Sequence, residues 1–490
     1  MKVLIVVDNL RDWQVSIPGT EVALARDYLA NPEFARLRNL RLFNFCRSFR
    51  YQSSGYYVSL LAEARGHRPL PDVVTIQDLK SRSIIKLSTT DIDGLVQKSL
   101  KPLASNEFTL SIYFGRNLAQ RYQRLSRQLF NQFSAPLLRA RFARKSGEWQ
   151  LTSLKPLALG DVPEGHREFL YEAAQDYFAR RRSPGRKPQS WRFDMAILVS
   201  PEEPQPPSDE RALRRFARAA RERGFAVEFV TREDYGSLGE FDALFIRETT
   251  LVNHHTYRFA RRASLDGLVV IDDPESILRC TNKVYLAELL ERHRIGAPKT
   301  LIVHRDNADK VAATLGLPCV LKQPDGSFSR GVVKVETEAE LKSELARFLD
   351  KSDLVLAQAF VPTEFDWRVG IIDRKPLFAC RYYMARQHWQ IYKHHQPGGG
   401  GKYDEGEADT VPVEQAPAHV VETALKAANA IGDGLYGVDV KEFDANCQVI
   451  EVNDNPSVES GYEDAVLGEA LYGRIMDVFL DRVQRKKGET

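Results

Sequence analysis

Apolar and polar residues alternate most sharply between Gly437 and Pro456. There, residues 438–443 and 447–452 each read as a strand, and Asp444-Ala445-Asn446 between them has the composition of a three-residue hairpin turn. Pairing across such a turn sets Asp439 opposite Glu451. Side chains alternate faces with a period of two, so Asp439, Glu451 and Asn453 share one face while Val438, Val440, Ile450 and Val452 point to the other. Further upstream, short apolar runs at 193–199, 225–230, 241–246 and 268–271 alternate with helical patterns over 209–223 and 254–266. This predicts a small parallel α/β domain. The proline-rich stretch 201–207 falls between its first strand and first helix and reads as a loop. Arg247 follows the third run, at a C-terminal strand edge where such sheets bind ligands; a plain surface arginine is the alternative.

The chain opens with a strand pattern over 2–7, and Gly55 precedes an apolar-rich helix. Gln52, Ser53 and Ser54 offer an anion site at that helix start, but the favoured reading makes the nearby tyrosines core and the serines caps. Residues 116–192 are arginine-rich, with Arg180-Arg181-Arg182 and Arg186 ahead of Trp191, and read as a solvated face and linker. No repeats or low-complexity tracts occur.

The hairpin face carries the first chemistry. Two carboxylates and an amide carbonyl are hard oxygen ligands that suit Mg²⁺ or Mn²⁺, ions that take further ligands from water and substrate phosphates. A solvated acidic face on an edge hairpin is the bland alternative. Lys322 ends the apolar run Pro318–Leu321 and is followed by a loop containing Gly326, Ser327 and Gly331, then by Val332–Val335. That is strand, small-residue loop, strand, with a lysine at the loop mouth and backbone N–H groups able to approach phosphate oxygens. It is not a Walker loop, since no Gly-Lys-Ser/Thr opens a helix there, and the glycine run 398–401 before Lys402 fails the same test.

Taken in order, Cys280-Thr281-Asn282-Lys283 before a helix, the Lys322 loop, Val355–Arg368, Lys393-His394-His395 and the Asp439–Asn453 hairpin closely resemble the ATP-grasp superfamily. Within it the likeness is to RimK-type glutamate ligases and bacterial glutathione synthetases, over residues 192–485. The region before residue 190 resembles an N-terminal domain attached to some RimK-like ATP-grasp proteins. The resemblance implies a mixed α/β and α+β chain: an ATP-grasp fold of two α+β subdomains clasping ATP at 281–490, a small parallel α/β domain at 191–280 and an extra domain at 1–190. It also implies roles. Lys283 and Lys322, with Ser327 in the loop, would meet ATP phosphates; Gln358, Ala359, Phe360 and Val361 would form the hinge that reads adenine; Glu364 or Asp366 would hold the ribose. Asp439, Glu451 and Asn453 would hold Mg²⁺ or Mn²⁺, Lys393 would stand near the γ-phosphate, and Arg247 would touch substrate. Arg368 and Arg381 would grip the acyl substrate or acylphosphate, which a guanidinium can do bidentately; ion pairing within a sheet is the alternative. The chain departs from the families in having Gln358 for the frequent glutamate, a short hinge-to-Asp366 segment, and different residues at Trp389–His395.

Bulk properties agree with a large soluble protein. The 490 residues suffice for about two to four cores, and 43% hydrophobic with 28% charged residues is ordinary for a globular chain. A net charge of +3 gives no reason to expect nucleic acid as a partner. Five scattered cysteines without a CxxC pair read as free thiols in a reducing compartment. With neither a signal-like start nor a membrane-length apolar run, the expected location is cytoplasmic. The resulting expectation is an ATP- and Mg²⁺-dependent carboxylate-amine ligase working through an acylphosphate, with an amino acid such as glutamate, a peptide or a protein tail as substrate. Whether it forms a homo-oligomer stays open. The competing readings are a dikinase-type phosphotransferase, for which none of the ten histidines has a recognisable setting, and a non-catalytic nucleotide-binding module.

Overall fold

The computed structural model describes residues 2–37, 40–81, 85, 92–145, 147–179, 191–325, 331–384, 392–394, 403–405, 408–443 and 446–488. The chain divides into two compact units, residues 1–195 with 224–242 and residues 196–223 with 243–490. In the first, β1 (Lys2–Val7), β2 (Thr20–Leu24), β3 (Leu40–Asn44) and β4 (Arg68–Leu70) form a parallel sheet in the order β2-β1-β3-β4. The helix Ser54–Ala64 buries Gly55, Val58, Ser59 and Ala62. Gly55 is required by close approach: a Cβ there would lie 2.4 Å from the carbonyl oxygen of Ser48. This small-residue face corrects the expected tyrosine core. Tyr51 is 69% exposed and its ring packs 5.2 Å from that of Tyr56 on the outer side. Nor is Ser53 a side-chain cap, because its hydroxyl donates to Ser48 O instead.

The arginine-rich stretch does present a solvated face, but up to residue 179 it is folded and not a linker, while Arg180, Arg181, Arg182 and Arg186 lie outside the described residues. Strands β5 (Glu107–Tyr113), β6 (Leu137–Lys145) and β7 (Glu148–Pro156) make an antiparallel sheet. In β6 the buried Leu138, Ala140 and Phe142 alternate with Arg139 and Arg141, which face outward. The helices Gln123–Gln132 and Arg167–Ala179 add Leu125, Leu129, Leu170 and Phe178 to the same core. The arginines mark the wet side of amphipathic elements rather than a linker.

β8 (Phe193–Leu198), whose residues from Ala196 on belong to the second unit, leads through the 201–207 loop into the helix Glu210–Glu222, and β10 (Ala243–Ile246) pairs in parallel with β11 (Val269–Ile271); β9 (Phe225–Val230) is grouped with the first unit. Each of these elements begins and ends within two residues of the sequence expectation. An antiparallel sheet in the order β12-β15-β13-β14 follows, from Thr300–Val303 (β12), Cys319–Lys322 (β13), Val332–Val335 (β14) and Val355–Ala359 (β15). The helix Glu338–Leu349, opened by a capping box between Thr337 and Glu340, covers it with Leu341, Leu345 and Phe348. After residues 360–364 the chain enters β16 (Phe365–Ile372) and β17 (Lys375–Tyr383). The short pair β18 (Tyr392–His394) and β19 (Tyr403–Glu405) follows, and then β20 (Ala408–Val411), β21 (Leu435–Phe443) and β22 (Asn446–Asn453). The second antiparallel sheet runs β20-β17-β16-β21-β22.

One face of that sheet packs on the helix Ala418–Ile431 through Trp367, Val369, Val438, Val440, Val449 and Val452. Each fully buried valine there stabilises the fold by about 1.5–3 kcal/mol. The expected hairpin forms, with Asp439 opposite Glu451, but its register shifts between Asp439 and Val440, so that Val440 faces Val449. The one-residue bulge therefore puts Val449, not Ile450, into the core, and Asn446 begins the returning strand instead of ending the turn. All five cysteines are free thiols, four of them buried. Among the described residues no helix is long and apolar enough to cross a membrane.

Candidate active site

The face of the five-stranded sheet away from the helix Ala418–Ile431 carries the charge. Arg368 on β16 stands directly opposite Asp439 on β21, and its Nε and Nη2 donate to the two carboxylate oxygens at 2.7 and 2.8 Å. Two residues along each strand, Asp366 and Lys441 pair in the same way, Lys441 Nζ reaching Asp366 Oδ1 and Thr363 Oγ1 at 2.6 Å. Across the hairpin, Glu451 Oε1 accepts from Lys283 Nζ at 2.8 Å, while Asn453 Nδ2 lies 3.3 Å from Asp439 Oδ2. Tyr382, opposite Asp366 on β17, lays its ring 4.9 Å from the Arg368 guanidinium carbon. Asp439, Glu451 and Asn453 thus share a face as the hairpin pattern predicts, and Arg368 and Lys283 join them there.

Lys283 is placed by the first turn of the helix Lys283–Arg292, whose N-cap Asn282 accepts from Val284 N and Tyr285 N. Its own N–H donates to Pro324 O, and Asn282 Nδ2 donates to Asp325 Oδ1, so the helix start is tied to the chain just beyond β13. Lys322 closes β13, buried, close enough to Glu451, Lys283 and Lys441 to feel all three charges. Burial pushes Lys322 down to about 8, against the opposing pull of Glu451. Burial likewise pushes Asp439 up, with Arg368 counteracting. For Glu451, burial acts in the same direction but Lys283, then Lys322 and Arg368, outweigh it and hold the carboxyl below its ordinary range.

Other sequence candidates fall differently. Arg381 pairs with Trp367, on the opposite face of the sheet, and is bound bidentately by Asp409 at 3.0 and 2.5 Å. The ion-pair alternative accounts for it, and it does not join the cluster. Arg247 is 1% exposed. Its guanidinium donates to Ser208 Oγ, Asn455 Oδ1, Pro207 O and Pro456 O, so it ties two loops together from inside instead of presenting itself to a substrate. Gln358 and Ala359 end β15, with Gln358 Nε2 donating to Thr300 Oγ1 at 3.0 Å, and Phe360 and Val361 lie in the connection to β16. Lys334 Nζ sits 4.4 Å from the Phe360 ring centre. Glu364 is exposed, whereas Asp366 is buried in its ion pair. Ser327 and the side chain of Lys393 lie outside the described residues. Lys441 and Tyr382 were not singled out from sequence. Lys441 was legible, being two residues past Asp439 in an alternating strand and so on the same face; Tyr382 needed the β16–β17 register.

These oxygens suit a hard divalent cation. Two acids and an amide sit side by side on paired strands, and cationic side chains already occupy the space they face.

Residues 25–173 match the family model of the RimK-like ATPgrasp N-terminal domain. A probable alpha-L-glutamate ligase of Thioalkalivibrio sulfidiphilus is 28% identical over 254 residues, 51% of this chain and 80% of the relative. The tetrahydromethanopterin:alpha-L-glutamate ligase of Methanocaldococcus jannaschii is 28% identical over 242 residues, 48% and 78% of the two chains. Among solved structures, a RimK domain ATP-grasp protein of Sphaerobacter thermophilus covers 58% of this chain and 98% of its own, at 18% identity and a TM-score of 0.44. Residues 25–173 thus carry a RimK-like ATP-grasp N-terminal domain, and about half of the chain is similar in sequence to alpha-L-glutamate ligases. Together these likenesses support an ATP-dependent ligase of the RimK-like ATP-grasp type.

Proposed function

We propose that the protein uses ATP and Mg²⁺ to join the carboxylate of one substrate to the amine of another, with glutamate as one of the two, and that it does so in the cytoplasm. The observation that carries this reading is the convergence of Lys283, Lys322 and Arg368 on Asp439, Glu451 and Asn453 from three separate parts of the second unit. A nucleotide phosphate chain needs such a mixture of cations and metal-holding acids, and phosphoryl transfer asks the protein chiefly for positioning and charge neutralisation. The glutamate ligases among the relatives supply the substrate class.

In this reading Asp439, Glu451 and Asn453 hold the metal, which when bound neutralises and orients phosphate oxygens. Lys283 and Lys322 grip phosphates as point charges. Arg368, released from Asp439, binds the substrate carboxylate or the acylphosphate that forms when that carboxylate takes the γ-phosphoryl group. The incoming amine then displaces phosphate. The exposed Glu364 holds the ribose, since Asp366 is committed to Lys441. The test is ADP release from the full chain with glutamate and a panel of amine or carboxylate partners, products being read by mass spectrometry. Turnover that needs both a carboxylate and an amine is expected. ADP release that ignores either one would point to a phosphotransferase or a simple ATPase.

A further inference from the structure

A second cluster of ligand-bearing side chains lies at the C-terminal edge of β10, outside the oxygen set described above. Glu248 is buried, and His255 Nε2 stands 2.9 Å from each of its carboxylate oxygens. The rings of His254 and His255 are 4.0 Å apart. One ligand atom from each of the three residues lies within 4.8 Å of the other two. Atoms bound to one ion at about 2.0–2.2 Å stand roughly 3–4 Å apart, so small side-chain rotations close the cluster around a single centre.

Three features separate this arrangement from an ordinary Glu–His ion pair. Such a pair needs one imidazole, whereas here a second ring, tilted by 47° to the first, stands beside the same carboxylate and brings a second nitrogen ligand within reach of one ion. The ring of His254 is also held from behind. Thr256 Oγ1 donates to Thr249 O and lies 3.1 Å from His254 Nδ1; when that oxygen takes the Nδ1 proton, Nε2 is the nitrogen that carries the lone pair. The main chain at Glu248 is pinned as well, its carbonyl accepting from Asn455 Nδ2 at 2.7 Å, with Asn455 Oδ1 accepting in turn from Arg247. Nearby, Glu203 accepts from Thr249 N and adds a further carboxylate to the neighbourhood.

We infer that Glu248, His254 and His255 form a binding site for a transition metal of the Zn²⁺ kind, separate from the Mg²⁺ ligands. Two imidazoles and one carboxylate favour Zn²⁺ and disfavour Mg²⁺, which seeks oxygen. Three protein ligands leave a fourth position for water. Through Asn455 the site touches the loop that leaves the Asp439–Asn453 hairpin, yet the inference does not depend on the ligase reading.

The full chain, stripped with a chelator, is titrated with Zn²⁺ against a zinc-binding dye, and bound metal is counted by elemental analysis. One Zn²⁺ per chain is expected, undisturbed by millimolar Mg²⁺, with affinity falling at least ~100-fold in His254→Gln and in Glu248→Gln. Substituting Co²⁺ in the unaltered protein should give visible bands of nitrogen and oxygen ligation without thiolate charge transfer. That measurement decides the matter even if a variant fails to fold. No zinc retained by the unaltered chain, unchanged affinity in both folded variants, or a cobalt–thiolate spectrum from the cysteines would each overturn the assignment.

Discussion

The two antiparallel sheets of the second unit handle charge in different ways. On the five-stranded sheet each acid of the site already has a cation, Asp439 with Arg368, Asp366 with Lys441, and Glu451 with Lys283. The four-stranded sheet contributes Lys322, which is buried and, among the described residues, forms no ion pair. Directly opposed strand positions let two buried charges cancel locally, and removing one member would strand the other. Lys322 ends its strand with the hydrophobic Val332 and Leu356 as ladder partners, so no such cancellation is available to it. In the proposed function, ligand binding on the first sheet is therefore an exchange of partners, and on the second the arrival of one.

The largest expected effect comes from breaking an exchange. Glu451→Gln removes an oxygen proposed to hold the metal and strands Lys283, and turnover should fall at least ~100-fold, on the scale of losing a strong electrostatic contact in the transition state. A near-normal rate with an unchanged melting curve would remove the hairpin from the metal site. Lys322→Ala takes away the waiting cation instead. Calorimetry should show ATP binding weakened about 10- to 100-fold, the value of a charge-assisted hydrogen bond, and unchanged affinity would make the loop a mere turn.

The same contrast predicts a pH response from Lys322 in the alkaline range. Because burial lowers it to about 8 from the ordinary 10.5, the folded protein sheds this proton before the unfolded chain does. Below about 8 the buried charge costs stability, and between about 8 and 10.5 that cost is relieved, so this lysine's contribution to stability rises with pH across the window. ATP affinity should run the opposite way, falling above about 8 by up to roughly tenfold per pH unit. Lys322→Arg, which stays charged, should flatten that slope; a slope that persists in the arginine variant belongs to another group. The smallest effect is expected at the exposed Glu364. Glu364→Gln should weaken ATP by about 2- to 10-fold, one ordinary hydrogen bond. The loss should vanish for a 2′,3′-dideoxy nucleotide, and a loss that stays the same would move the ribose contact elsewhere.

Much of this was written plainly in the chain, and what was missed has identifiable physical causes. The alternation in 438–452 placed Asp439 across from Glu451 because one face of the hairpin had to be apolar. Ile450 was misassigned because a bulge leaves no mark in a run of consecutive apolar residues, and only pairing with β21 reveals it. In the stretch after residue 116 the arginines do mark a solvated face, but counting them alone hides the folded strand that Leu138, Ala140 and Phe142 announce by alternating with them. Arg247 was rightly placed at a strand end, but local sequence could not show that Ser208, Asn455 and two carbonyls from distant segments would enclose it. The Glu248, His254 and His255 cluster escaped for the same reason, since it needs the turn between β10 and the helix His255–Leu265 to fold back.

The bulge at Ile450 works as a phase adjuster between two clocks. From Gly437 to Asp439 the hairpin keeps time with the charged pocket; from Val440 outward, facing Val449, it keeps time with the hydrophobic interior. An uninterrupted ladder would lock those phases together, and any register that satisfied the valines would fix where the acids fall. With one residue absorbing the offset, insertions or deletions beyond Phe443 can reshape the far end of the hairpin while Asp439 and Glu451 stay opposite each other. That outer end is accordingly the place where length variation should be best tolerated.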